Sequence, residues 1–204
     1  YSAESAITDS APAATALATG YKSNSGYVGV LPSKVTSPGV AQNEADAFKP
    51  IANVLEGAKR VGKATGIVAT AEIQHATPAG FSAHVVSRSN YDDIAEQQVY
   101  QGIDVVLGGG AASLKDTRKD GENLISVIEE NGYDFVQTRE QLLASDTDKI
   151  WGSFAPAALA YDIDRAVTKP EEPTLAEMTE KAIDTLNKDE DGFFLMVEGS
   201  KIDW

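Results

Sequence analysis

The chain has 204 residues, 42% of them hydrophobic, with 17 basic against 31 acidic residues and a net charge of −14. That length holds one sizeable α/β domain with its own core, and that apolar fraction excludes a disordered chain. The acidity argues against nucleic acid as a specific partner, since the longest basic cluster is the short Lys59–Arg60–Lys63 group, which reads as a solvated helix end.

Residues 1 to 9 (YSAESAITD) have neither the basic start nor the apolar stretch of a signal peptide, and there is no initiating Met. Residues 10 to 19 (SAPAATALAT) predict a helix capped by Asp9 or Ser10 and closed by Gly20. Ser-, Gly- and Pro-rich residues 20 to 43 predict a loop. Residues 50 to 61 predict a second helix, with Pro50 near its start and Ile51, Val54, Leu55 and Ala58 on its apolar face. Residues 64 to 70 (ATGIVAT) predict a buried strand. A short strand over 104 to 107 runs into Gly108–Gly109–Gly110, which reads as a sharp turn. It lacks the Lys-Ser/Thr ending of a P-loop and the spacing of a dinucleotide fingerprint.

Residues 121 to 131 predict a helix with Leu124, Val127 and Ile128 inward and Gly132 as its stop. Residues 137 to 173, with Pro156, Pro170 and Pro173, predict irregular surface excursions. Thr174 and Glu177 form a capping box. Behind it, Leu175, Met178, Ala182, Ile183 and Leu186 make a helical stripe. Gly192 then precedes the apolar run Phe193 to Val197, which suits a parallel strand covered on both faces. Such alternation predicts a three-layer α/β sandwich with a largely parallel sheet, in a single domain over 1 to 204. No run reaches the roughly 18 apolar residues of a membrane span.

Cysteine is absent, which excludes disulfides and thiolate metal sites, and there are two histidines, His75 and His84. Three constellations carry chemistry. In T-D-S-A-P-A-A-T-A (8 to 16), Ser10 stands at a helix start, where free N–H groups and the helix dipole favour an anion. It either caps the helix or presents a nucleophilic hydroxyl. In E-I-Q-H-A-T-P (72 to 78), His75 and Thr77 follow a strand end, where α/β sheets gather ligands. Thr77 could cap a helix opened by Pro78. Arg88, eleven residues later, could grip two phosphate oxygens with its planar fork. His75 and Arg88 could equally be surface residues, and His84 reads as structural. In V-E-G-S-K-I-D-W (197 to 204), Glu198 and Asp203 are either hard-cation ligands or an ordinary polar loop.

In this order the constellations resemble the alkaline phosphatase family. D-S-A-x-A-x-T-A resembles its nucleophile signature. The stretches T-G-Y-K-S-N-S-G-Y-V-G-V (19 to 30), T-A-E-I-Q-H-A-T-P-A-G-F-S-A-H-V-V-S-R (70 to 88) and P-T-L-A-E-M-T-E-K-A-I-D-T-L through G-F-F-L-M-V-E-G-S-K-I-D also fit. The likeness is loosest between residues 90 and 170. It implies hydrolysis of small-molecule phosphate monoesters at a two-zinc plus magnesium centre. Ser10 would form a phosphoserine and touch one zinc, Asp9 would steady Arg88, and Arg88 would hold the phosphate. Thr77 and Glu198 match magnesium ligands, and Asp203 matches a ligand of the other zinc. His75 and Trp204 match variable positions near the metal site, Asp and Lys in enteric-type enzymes. The His/Trp pair resembles that of some marine, cold-adapted bacteria. The resemblance further implies a homodimeric, periplasmic or secreted parent.

Zinc prefers nitrogen or sulfur ligands, and neither histidine matches a family zinc ligand. The family's upstream Asp and downstream Asp and His ligands have no counterpart in the chain. It therefore resembles an internal fragment, expected to be weakly active or inactive alone and to have unpaired sheet edges. Two rivals stand beside this reading: a metal-dependent phosphodiesterase or sulfatase, disfavoured by a serine in this motif, and a non-catalytic or degenerate phosphate- or metal-binding fragment.

Overall fold

Alternation of helix and strand begins at Ser10 and continues to Glu198 in the structure, a computed structural model that describes residues 1–41 and 43–204. Gln42, within the expected loop, lies outside the described residues. Helix α1 (Ser10–Thr19) closes as expected at Gly20, whose φ of 80° suits glycine. Helix α2 is shorter than expected, Val54–Arg60. Pro50 is drawn instead into an antiparallel bridge with Val30, and Asn53 caps the helix through a reciprocal box with Glu56. Only Leu55 of its expected apolar face is buried within the helix.

Strand β1 (Ala64–Glu72) overruns the expected strand by two residues and leads into α3 (Ala76–Gly80), whose cap is His75, leaving Thr77 inside the helix. Helix α4 (Tyr91–Gln101) follows. Strand β2 (Val105–Gly109) absorbs two of the three glycines, so the turn begins only at Gly110, φ 94°. Helix α5 (Leu124–Glu130) and strand β3 (Asp134–Val136) come next. Residues 137 to 173 are not irregular: they contain α6 (Arg139–Ala144), β4 (Ile150–Ser153) and α7 (Asp162–Thr168). The predicted capping box opens α8 (Leu175–Leu186), and β5 (Phe193–Glu198) ends the series.

The strands form one parallel sheet in the order β3-β4-β2-β1-β5. Because side chains alternate along a strand, Ile67, Ala69, Val106, Trp151 and Met196 face one layer, with Leu55, Ala95, Val99, Leu124 and Ile128 from α2, α4 and α5. Val68, Val105, Leu107, Val136 and Ile150 face the other, with Leu142 of α6 and Met178, Ala182 and Leu186 of α8. Each buried Val, Leu, Ile or Met among them contributes about 1.5–3 kcal/mol on burial. This is the expected three-layer sandwich. Strand β5 corrects its own expectation: it is a sheet edge, and Val197 remains 42% exposed.

Parallel strands leave their carboxyl ends on one side. There α1 lies tightly on α3, so tightly that a Cβ at Gly80 would fall 2.6 Å from Ala14 Cβ. His84 is structural, as expected: Nδ1 lies 2.7 Å from Gly29 O and Nε2 2.9 Å from Glu56 Oε1. Lys59 and Lys63 are not merely solvated, since their ammonium groups donate to the carbonyls of Gln101, Gly102 and Asp191. No helix among the described residues is long and apolar enough to cross a membrane.

Candidate functional site

Asp9, not Ser10, caps α1. Its Oδ1 accepts the Ala11 N–H at 3.1 Å and its carbonyl accepts the Ala13 N–H at 3.3 Å. Pro12 has no N–H to offer. Among the described residues the helix start therefore presents the Ser10 N–H as its one uncommitted donor in the first turn, rather than the open cluster expected. The Ser10 hydroxyl, freed from capping, makes no hydrogen bond among the described residues and is part-exposed.

The other Asp9 oxygen reaches two further groups. It accepts the Gly26 N–H at 2.9 Å and lies 3.9 Å from Arg88 Nη1. The Gly26 carbonyl accepts the Arg88 N–H at 2.7 Å, so one turn residue, φ 79°, braces acid and guanidinium together. Arg88 Nη2 donates to His75 Nε2 at 3.0 Å. Since arginine has no acceptor, that ring nitrogen carries a lone pair, and the imidazole hydrogen sits on Nδ1. Burial first, then the Arg88 charge, holds His75 below its usual range against the pull of Glu198, Glu72 and Asp203. Its Nδ1 is buried without a partner among the described residues. The ring meets Trp204 edge-on, centroids 5.2 Å apart.

Contact thus runs from Ser10 through Asp9, Arg88 and His75 to Trp204, the neighbour of Asp203. Glu198 ends β5 opposite Ala69 of β1. Its Oε2 accepts the Ser200 hydroxyl at 2.7 Å, and Ser200 Oγ accepts the Ala71 N–H at 3.1 Å. Thr77 lies in the first turn of α3, two residues beyond His75.

Three residues at this site have no role that the sequence motifs assign, although Gly26 and Ser200 lie within them. Gly26 acts through its backbone, and Ser200 through a hydroxyl that could serve any polar loop. Tyr91 opens α4, and burial followed by the Glu72 charge pushes its phenol up to about 12, with Arg88 opposing. It stays protonated beside them. Lys201 supplies a second cation, 4.5 Å from the Tyr161 ring and 4.6 Å from that of Trp204.

A separate acidic group, Glu96, Asp120 and Glu122, has oxygens within 4.8 Å of one another. It already has its cation. The fully buried side chain of Arg118 sits among the three, with Nη2 3.3 Å from Glu122 and 3.9 Å from Glu96.

Residues 1–204 match the family described as alkaline phosphatase. Alkaline phosphatase 3 of Bacillus subtilis is 44% identical over 207 residues, covering 98% of this chain and 40% of that protein. The crystal structure of Thermus thermophilus alkaline phosphatase superposes with a TM-score of 0.88 at 34% identity, over 100% of this chain and 40% of that one. A histidine-to-aspartate variant of the TAB5 alkaline phosphatase, described with magnesium bound, gives a TM-score of 0.80 at 28% identity, covering 100% of this chain and 54% of its own. The chain spans about two fifths of the length of the first two relatives.

Proposed function

Because the chain belongs to the alkaline phosphatase family over its whole length, we propose that it carries the nucleophile and phosphate-gripping part of a phosphomonoester hydrolase. The observation that supports this most is the free Ser10 hydroxyl beside an Asp9–Arg88–His75 relay that holds the guanidinium at the same strand ends. Phosphoryl transfer asks mainly for positioning and charge stabilisation. Ser10 Oγ would attack phosphorus in line with the leaving alkoxide. The serine O–P bond forms, the ester P–O bond breaks, the serine proton passes to solvent and the alcohol leaves protonated. Water then attacks the phosphoserine, releasing orthophosphate. Arg88 spends one donor on His75, and the rest of its fork is available to the non-transferring oxygens.

Metal fit divides in two. Thr77 and Glu198 are hard oxygen donors, which suit magnesium, an ion that keeps several waters. When bound, magnesium would supply positive charge where Asp9, Glu72, Glu198 and Asp203 outnumber Arg88 and Lys201. Zinc does not fit this donor set. His75 Nε2 faces Arg88, both nitrogens of His84 are engaged, and cysteine is absent. Of the matched positions only Ser10 and Asp203 would fall to zinc, so a zinc pair needs donors from outside these residues.

The deciding experiment incubates the chain, and a longer protein containing it, with ³²P-phosphate plus zinc and magnesium, then quenches in acid. Label on Ser10 is expected from the longer protein and weakly or not at all from the 204 residues. No label on Ser10 in either would remove the proposal. Faster turnover of bis-p-nitrophenyl phosphate or p-nitrophenyl sulfate than of p-nitrophenyl phosphate would favour a diesterase or sulfatase. The zinc shortfall favours one second reading, a non-catalytic phosphate- or magnesium-binding fragment, in which Ser10→Ala leaves phosphate affinity unchanged.

A further inference from the structure

A short backbone ribbon joins the segment that follows α1 to the segment that carries Arg88. Val28 and Val85 each donate an N–H to the other's carbonyl, at 3.0 and 2.9 Å, and the Gly26 carbonyl accepts the Arg88 N–H at 2.7 Å. Arg88 and Asp9 make no tight ion pair, at 3.9 Å, so the place of the guanidinium depends on the backbone beneath it.

His84 closes the other end of this ribbon. Its backbone is fixed to α4: the N–H donates to Gln97 Oε1 at 2.7 Å, and the carbonyl accepts Gln97 Nε2 at 3.2 Å. Its ring crosses to the opposite side, with Nδ1 2.7 Å from Gly29 O. A carbonyl only accepts, so Nδ1 carries a hydrogen. The other nitrogen, Nε2, lies 2.9 Å from Glu56 Oε1 of α2. Gly29 is the matching junction. Its N–H donates to Thr15 Oγ1 at 2.9 Å, and that hydroxyl donates to Ala11 O at 2.9 Å, inside the helix that begins at Ser10. Its φ is 61°, and a Cβ there would fall 2.2 Å from Ala83 O and 2.7 Å from His84 Nδ1, so glycine alone admits the ring this close. The Gly29 carbonyl already accepts the Ile51 N–H at 2.9 Å, so the ring is not needed to satisfy it; the added bond fixes position.

We propose that His84 is a positioning residue for Arg88, acting through the Nδ1 hydrogen bond to Gly29. With that bond in place, α4 holds one side of the ribbon, α1 holds the other, and the Arg88 N–H stays on Gly26. A site keeps its geometry only when the groups behind it are themselves held. The Glu56 arm steadies the ring and does not reach the ribbon. The effect on phosphate rests on the reading of Arg88 as the phosphate grip; the effect on the ribbon does not.

Two amide side chains divide the two bonds of the ring. His84→Asn places an N–H where Nδ1 stands and keeps the Gly29 bond, whereas His84→Gln places one where Nε2 stands and keeps the Glu56 bond. Each variant loses one hydrogen bond, so both should lower the urea midpoint by similar amounts. The Arg88 amide should tell them apart. Its hydrogen exchange, measured relative to that of Val68 in β1, should quicken about fivefold or more in His84→Gln and stay within about twofold of wild type in His84→Asn. Inorganic phosphate should follow the same order, bound about fivefold more weakly by His84→Gln and within about twofold by His84→Asn. Equal exchange in the two variants would overturn the proposal, as would nitrogen-15 shifts that show His84 Nδ1 bare. Should His84→Gln fail to fold, Glu56→Gln decides, since it keeps a capping-box residue. It should leave Arg88 exchange within about twofold of wild type; a rise as large as that expected of His84→Gln would assign the hold to the Glu56 arm and overturn the proposal. A wild-type chain that binds no phosphate while the exchange contrast persists would remove the phosphate-gripping reading and leave the positioning role standing.

Discussion

Asp9 and Arg88 meet through a single residue: Gly26 donates its N–H to Asp9 Oδ2 at 2.9 Å and accepts the Arg88 N–H at 2.7 Å. The two charges are only 3.9 Å apart, but the shared brace sets their spacing without a tight ion pair. Gly26 can do this because its φ of 79° belongs to the left-handed region, and no atom lies within 4 Å of where a Cβ would stand. Gly26→Ala therefore costs backbone strain alone, about 1–2 kcal/mol. Urea denaturation should show that loss, and binding of inorganic phosphate should weaken with it. Asp9→Asn should behave differently. Asparagine caps a helix as well as aspartate, but its amide nitrogen cannot accept the Gly26 N–H. A stability loss of about 1 kcal/mol is therefore expected, and Arg88 loses its counter-charge, so that phosphate affinity changes.

The hydrogen bond from Arg88 to His75 fixes a protonation state as well as a position. With Nε2 accepting at 3.0 Å and the ring held below its usual range by burial and by Arg88, His75 is neutral at pH 7 with its hydrogen on Nδ1. Nitrogen-15 chemical shifts of the metal-free chain should show one protonated and one unprotonated ring nitrogen, with Nε2 bare. An imidazolium pattern at pH 7 would contradict that assignment.

Trp151 is the largest fully buried side chain among the described residues and lies on β4, within the stretch expected to be irregular. It stands edge-on to Tyr133, centroids 6.0 Å apart, and its Nε1 is buried without a partner among the described residues. Trp151→Ala should cost about 3–5 kcal/mol through the cavity it leaves. Trp151→Phe should cost clearly less, because the phenyl ring keeps much of the buried volume and no partner is stranded by loss of the indole N–H. Chemical denaturation of both variants checks the order; equal losses would mean that the phenyl ring does not fill the space the indole leaves.

What could be read beforehand follows from what each segment encodes locally. Helices α1 and α8 carry their own punctuation, Asp9 with Gly20 and Thr174 with Glu177, and each was legible to within a residue. Strand β4 is short, Ile150–Ser153 with Gly152 inside it, and displays no period. Its burial comes from β2 and β3 on either side, which is non-local information. The apolar run of β5 reports what that strand is suited to bury, not whether a neighbour stands beside it. At the site, Ser10, Arg88 and Glu198 stood out because their side chains do recognisable chemistry. Gly26 and Ser200 act by holding others, through contacts 17 to 129 residues away in sequence, and no motif announces them.

The α8 cap also makes acid stability testable. Arg139 Nε donates to Glu177 Oε1 at 2.7 Å, and the Thr174 backbone and hydroxyl bond to Oε2 at 3.0 and 3.1 Å. The Arg139 hydrogen bond, foremost among these, holds the Glu177 carboxyl down to about 2, from an ordinary value of 4.5. A carboxyl with a depressed folded-state pKa binds fewer protons folded than unfolded. Its contribution is therefore complete above about pH 4.5 and is lost as pH falls toward 2. Arg139 is half exposed, so solvent and salt reduce the size of the effect but not its sign. Glu177→Gln keeps a capping-box residue and cannot titrate. The wild-type urea midpoint should fall more steeply between pH 5 and 2.5 than that of the variant, and high salt should narrow the gap. Parallel pH profiles at low salt would show that the Arg139 contact does not persist in solution.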